Sequence, residues 1–262
     1  MMVKFYPARG LRPMPWNLDA ATFVMVAVAA FLSSIVGGVG GFGTGIILTA
    51  LLAPILGFKA LVPVLAVAGV VINAGRFWFY RKAVDPRALK QVLAGAVPAV
   101  FAGVYVYSLL DARSIGFVLG SFVLAAVPLR HVLARRGIRL EPAGLVAGAG
   151  VFGLVSGIAS GTGVILISLL LGAGLGGVAV LATDALVTIA IDVIKVLLFG
   201  GFELLDASSV TLGLAIGAAT IPGSRVAAWL VERLGARLHV AVMDALILVG
   251  GMTMLWSAIR AA

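Results

Sequence analysis

The chain has 262 residues, of which 62% are hydrophobic and 11% charged, with a mean hydropathy of +1.20; soluble domains are roughly half apolar, so a water-soluble fold is excluded. The net charge of +9 would suit nucleic acid, but the basic residues stand in short loops between apolar runs, so they read as topology signals and nucleic acid is excluded as a partner. With no cysteine, disulfides, thiolate metal sites and cysteine nucleophiles are excluded; His131 and His239 flank loops, and no metal or other cofactor is expected.

Residues 1–17 form a tail, cytosolic or periplasmic, that carries Lys4, Arg9 and Arg12. The run from Leu18 to Ala30 has the basic-then-apolar look of a secretory signal, and Ala27-Val28-Ala29 imitates a cleavage site. It continues into a glycine-rich stretch without a polar mature N-terminus, so it is read as the first membrane segment. The predicted segments are then 18–36, 44–57, 60–80, 88–108 and 113–133, followed after a basic linker at 135–142 by 143–159, 162–174, 178–199, 208–230 and 238–259. Crossing the hydrocarbon core takes about 20 helical residues. The second segment of each set is too short for that, which predicts two part-length helices meeting at a tip inside the membrane.

The two sets are a repeat. GFGTGIILTALL at Gly41 to Leu52 is echoed by SGTGVILISLLL at Ser160 to Leu171. Aligning Gly43-Thr44-Gly45 with Gly161-Thr162-Gly163 brings Val84-Asp85 into step with Leu205-Asp206. The expected fold is an all-α polytopic membrane protein with repeats at 18–134 and 143–262, packed as one membrane domain. If each repeat opens with a hairpin that returns to its own side, three crossings follow and the second repeat is inverted. The loops with Arg81, Lys82, Arg87 and Lys90, with Arg130, Arg135, Arg136 and Arg139, and with Arg233 and Arg237 then share one face, and Glu203 and Asp206 the other, as the positive-inside rule asks. Lys4, Arg9 and Arg12 dissent. If each opening pair crosses once, the repeats are parallel.

Gly38-Val39-Gly40-Gly41-Phe42-Gly43 fits G-x-G-x-x-G literally, but no strand precedes it and no acid stands about 20 residues on, so a dinucleotide site is rejected. Gly37, Gly41 and Gly45, like Gly153, Gly157 and Gly161, are spaced four apart, as on a face where two helices touch closely. That explains the spacing but not the density, which argues instead for an unwound tip, because glycine inside a helix costs about 1 kcal/mol relative to alanine and irregular backbone at membrane depth is tolerated where it lines a cavity. Helices starting near Thr44 and Thr162 would present free amides and about half a positive charge to an anion.

Ionisable groups inside membrane helices are expensive and usually functional. Asn73-x-x-Arg76 and Asp192-x-x-Lys195 have the same spacing at the same place in each repeat, and residues three apart share a helix face. The alternatives are that Asp192 and Lys195 neutralise each other, and that Arg76 snorkels toward Phe77, Trp78, Phe79 and Tyr80. Arg225, beside Pro222-Gly223, is a further anion ligand or faces the headgroups. Substrate binding is therefore assigned to Gly43, Thr44, Gly45, Asn73, Arg76, Gly161, Thr162, Gly163, Asp192, Lys195 and Arg225. Asp184 and Asp192 are candidates to carry a coupling proton.

In its two glycine-rich motifs, Gly37 to Leu52 and Gly153 to Leu171, and in Val84-Asp85, the sequence resembles the TauE/SafE sulfite exporter family, also called the toluenesulfonate uptake permease family. The resemblance covers nearly the whole chain. It implies a bacterial inner-membrane protein that exports sulfite or small organosulfonates such as sulfoacetate. The expected function is a secondary transporter working by alternating access. An anion channel, or an importer of another small oxyanion or carboxylate, is the alternative. An enzyme is not expected, since no H-E-x-x-H or cysteine chemistry is present. The expected partners are the small anion and the bilayer, with a homodimer admitted.

Overall fold

The computed structural model describes residues 20–37, 43–136, 139–234 and 236–260. Among them are ten α-helices and one short 3-10 turn. The first five are α1 (Ala20–Gly37), α2 (Gly43–Leu56), α3 (Phe58–Tyr80), α4 (Pro86–Leu109) and α5 (Ala112–Arg136). The second five are α6 (Pro142–Ile158), α7 (Gly163–Gly172), α8 (Val178–Gly201), α9 (Ala207–Leu234) and α10 (Ala236–Arg260). Each predicted segment coincides with one helix to within a few residues. Three stretches among the described residues are long and apolar enough to cross a membrane, Phe58–Ala83, Pro86–Leu109 and Ala112–Leu129. The outer surface is correspondingly apolar, with Phe79, Leu197 and Leu109 about 70% exposed, as a lipid environment allows.

Local chemistry sets the helix starts. Asp85 accepts hydrogen bonds from the amides of Arg87 at 2.9 Å and Ala88 at 2.8 Å, with Pro86 at the first helical position. The carboxylate satisfies donors that the helix itself leaves orphaned, and proline there loses no needed N–H. Asp206 does the same for α9 through Ser209 N at 2.7 Å, and Asp111 for α5 through Ser114 N at 2.8 Å. The repeated hydrophobic-Asp pair is therefore a helix N-cap. Hydrogen bonds from Ser209 hold the Asp206 carboxyl below its ordinary value, and those from Ser114 do so for Asp111.

The short helices fold back on their predecessors. Leu140 N donates to Gly172 O at 2.7 Å, and Gly148 packs under Leu169, so α6 and α7 form a hairpin whose two ends return to one level. In the first half, Gly37 at the end of α1 lies against Thr44 at the start of α2. The residues between, 38–42, lie outside the described set, as do Lys4, Arg9 and Arg12.

The most extensive packing joins the first five helices to the last five: α4 on α6, α3 on α8, α5 on α10 and α1 on α9. Exchanging each helix for its counterpart (α1 for α6, α2 for α7, and so on) maps α4·α6 onto α9·α1, α3·α9 onto α8·α4 and α2·α10 onto α7·α5, and all of these pairs are in contact. Two counterpart pairs, α3 with α8 and α5 with α10, cross antiparallel. Late Arg76 of α3 meets early Asp184 of α8 while mid-helix Gly69 meets Asp192; Gly120 of α5 meets Leu255 of α10 while Leu124 meets Gly251.

Glycines allow the closest crossing. A methyl group added at Gly157 would lie 2.7 Å from Gly103 Cα, and one added at Gly103 2.9 Å from Gly157 Cα, so α4 and α6 touch backbone to backbone. Gly153 packs likewise on Ala96. The small-residue spacing at Gly153 and Gly157 is thus a helix-packing face, and the unwinding begins only beyond it. One turn beyond Gly103, the buried Tyr107 hydroxyl donates to Phe58 O at 2.9 Å and its ring meets Phe199 edge-on at 5.2 Å, joining the start of α3 to α4 and α8.

Candidate functional site

Four elements converge on one cavity of about 80 Å³. That is room for a few waters, or for one small oxyanion in their place. α3 and α8 supply matching stripes. Leu65, Gly69, Asn73 and Arg76 line it from α3, and Asp184, Thr188, Asp192 and Lys195 from α8. The spacing of four, four and three keeps each set on one helix face. Gly69 and Asp192 fall near the middle of their helices, so the cavity lies at mid-depth of the bundle.

The other walls are the glycine motifs. After α6 ends at Ile158 the chain is extended at Ala159, turns through Gly161 at φ +80°, and restarts as α7. Side-chain-bearing residues rarely adopt that conformation. Space is equally restrictive: a methyl group at Gly161 would lie 2.6 Å from Ile46 N, and one at Gly45 2.9 Å from Gly161 Cα. The two motifs therefore touch each other through bare backbone. Thr44, Gly45, Gly161, Thr162 and Gly163 all line the cavity. The first amides of α2 and α7 precede any i→i−4 partner, and each helix end carries about half a positive charge. Thr162 stands at the N-cap of α7 but does not cap it; its hydroxyl donates to Ser156 Oγ at 3.1 Å.

The charges are arranged in two pairs. Arg76 Nη1 donates to Asp184 Oδ2 at 2.7 Å across the two halves. Lys195 Nζ donates to Asp192 Oδ1 at 3.1 Å within α8. Arg76 turns inward, away from the aromatic belt, where Arg81 stacks 4.5 Å over Trp78. Asn73 donates to Gly69 O at 2.9 Å. Lys195 and Asp184 are each 2% exposed, and burial of that degree is tolerated only for paired charges.

Two buried atoms stand out. Ser160 Oγ and Asp184 Oδ1 have no hydrogen-bond partner, and both residues line the cavity. An unmet buried polar group costs about 1–3 kcal/mol; a ligand in the cavity would remove that cost. Among the described side chains lining the cavity, two cations and two carboxylates balance, and the two helix ends add a positive field of about one charge.

Of the residues singled out in the sequence, the cavity brings together Thr44, Gly45, Asn73, Arg76, Gly161, Thr162, Gly163, Asp184, Asp192 and Lys195. Gly43 is the buried first residue of α2 and packs toward Gly37 instead of lining the space. The side chain of Arg225 lies outside the described residues, although its backbone belongs to α9. Sequence reading missed Ser156, Ser160 and Thr188. The signal for Thr188 was its place between Asp184 and Asp192 on the same stripe. The signal for the serines was their spacing of four inside the second glycine motif.

The profile of a protein family, Sulfite exporter TauE/SafE, matches residues 26–254, which include every described residue lining the cavity. No curated protein matches the chain. No solved structure matches it either.

Proposed function

The chain belongs to the TauE/SafE sulfite exporter family, and on that premise we propose that it is a secondary transporter exporting a small sulfur-containing anion, sulfite or an organosulfonate of the sulfoacetate kind. It passes several times through a bacterial inner membrane. Its halves form inverted repeats, a reading supported by the antiparallel crossing of α3 with α8 and α5 with α10 and by the α6–α7 hairpin.

One observation carries the proposal. Two helix N-termini meet through bare glycine backbone, Gly45 on Gly161, at a buried cavity flanked by Arg76 and Lys195. Broken helices with converging ends at mid-depth are where inverted-repeat transporters hold substrate, and helix N-termini favour an anion there. Arg76 offers a planar fork for two oxygens of a sulfonate or sulfite, and Lys195 a point charge. The threonine hydroxyls and Ser160 offer further donors. Because the site is formed by both halves, rocking one against the other exposes it to each side in turn.

The experiment is sulfite efflux from proteoliposomes containing the purified protein. Saturable efflux, reduced at least tenfold in Lys195→Met while the variant remains monodisperse in detergent, supports the carrier. Single-channel currents, or efflux indifferent to Lys195→Met, contradict it.

A further inference from the structure

The charge pairs raise a difficulty for the reading just given, and its resolution identifies a further function for one residue. Both cations facing the cavity are already engaged, Arg76 with Asp184 and Lys195 with Asp192. An entering anion therefore meets two carboxylates as well as two cations. The carboxylates differ. Asp192 is held by Lys195 three residues along the same helix, with Gly69 of α3 packed on its other oxygen. Asp184 receives Arg76 from the opposite half on Oδ2, and its Oδ1 is buried without a partner. An ionised Oδ1 repels an oxyanion. A protonated Oδ1 is a donor to it.

We propose that each oxyanion is bound together with one proton, taken from solvent onto the Asp184 carboxylate, which releases the Arg76 guanidinium to the anion. This inference rests on the anion-transporter reading. Bond changes are confined to one new O–H at Asp184, and the cavity holding a monovalent anion keeps the net charge it has when empty. The guanidinium that donates to Asp184 through Nη1 suits a sulfonate equally well, so the two compete for one partner. The groups around Asp184 are consistent with this part. From α3 comes Arg76, and α8 itself brings Asp192 and Lys195 to the same cavity. Arg81 and Lys82 of the 3-10 turn and Arg87 and Lys90 of α4 are exposed. Asp85, the N-cap of α4, lies beside Thr183 in the early part of α8, to whose Oγ1 its amide donates at 3.0 Å. α6 and α7 contain no ionisable residue.

The test uses isethionate, whose sulfonate stays ionised from pH 5.5 to 8.5, titrated into the purified protein by calorimetry in buffers of differing ionisation enthalpy. The expected result is uptake approaching one proton per isethionate, with affinity weakening about tenfold per pH unit on the alkaline side, as linkage requires for one proton. Asp184→Asn should bind isethionate with no proton uptake and a flat pH profile; Asp192→Asn should retain the uptake. Binding without proton uptake by the wild type, or uptake that survives in Asp184→Asn, overturns the inference and leaves the transporter reading standing. Uptake lost in Asp192→Asn reassigns the proton and likewise overturns it. If Asp184→Asn does not fold, wild-type uptake and its retention in Asp192→Asn decide the matter. If neither sulfite nor isethionate binds the wild type, the transporter reading fails and the inference with it.

Discussion

Arg76 and Asp184 are joined at 2.7 Å from opposite halves of the chain, the late part of α3 reaching the early part of α8. Asp184 is buried and Arg76 half-buried beside it, so the two depend on each other. Removing one partner of a buried ion pair costs about 3–5 kcal/mol, while replacing both with apolar residues of similar volume is close to neutral. Arg76→Ala is therefore expected to lower the thermal unfolding temperature in detergent sharply, and Arg76→Met with Asp184→Leu to regain most of the loss. Losses that simply add would show that the two side chains do not interact.

The contact between the glycine motifs gives a second expectation. Gly161→Ala places a methyl group 2.6 Å from Ile46 N in a backbone region that side chains avoid, which costs about 1–3 kcal/mol. It is expected to destabilise the protein and abolish sulfite efflux. Gly75→Ala is the control, since nothing stands within 4 Å of the added methyl and φ is ordinary there; it should transport normally and melt no lower than wild type.

Gly157 separates packing from binding. Its added methyl would meet α4 at Gly103, away from the cavity lining. Gly157→Ala should lower stability by about 1–3 kcal/mol, as overpacking does, while the folded fraction binds sulfite with unchanged Kd. A weakened Kd would place this crossing in the binding machinery.

Much of this architecture was legible in the sequence, for physical reasons. Long apolar runs broken by charged loops have one stable answer in lipid, which is why the helix limits were close. Val84-Asp85 and Leu205-Asp206 mark helix starts because an Asp side chain satisfies orphaned amides. Asn73 and Arg76, like Asp192 and Lys195, were readable as pairs because a helix puts residues three apart on one face. What lies opposite such a face is a tertiary fact. Nothing local announces that Arg76 finds Asp184, 108 residues away. Ser160 and Thr188 were equally opaque, because Ser and Thr in apolar helices usually bond their own backbone, as Thr49 does to Gly45 O at 2.8 Å. Gly153 and Gly157 looked like part of an unwound tip, yet they serve the α4–α6 crossing.

Asp206 supplies a pH prediction. Hydrogen bonds from Ser209 depress its carboxyl below the ordinary 3.8, so the folded state favours the ionised form more than the unfolded chain does. That stabilisation is complete above about pH 5 and is lost as pH falls through the folded value, below 3.8. Asp206→Ala removes the α9 cap and should cost about 1 kcal/mol at pH 7. The gap between variant and wild type should narrow in thermal melts as pH falls below the ordinary 3.8; a gap that widens on acidification contradicts the assignment.

The central claim is that an oxyanion sits where the two helix ends converge, and anomalous scattering tests it most directly. Selenite has the charge and shape of sulfite and a strong anomalous signal. In crystals soaked with it, the account predicts a selenium peak between Thr44–Gly45 and Thr162–Gly163, within hydrogen-bond reach of Lys195 Nζ. A selenium peak elsewhere on the protein, with this cavity empty at saturating selenite, would contradict it.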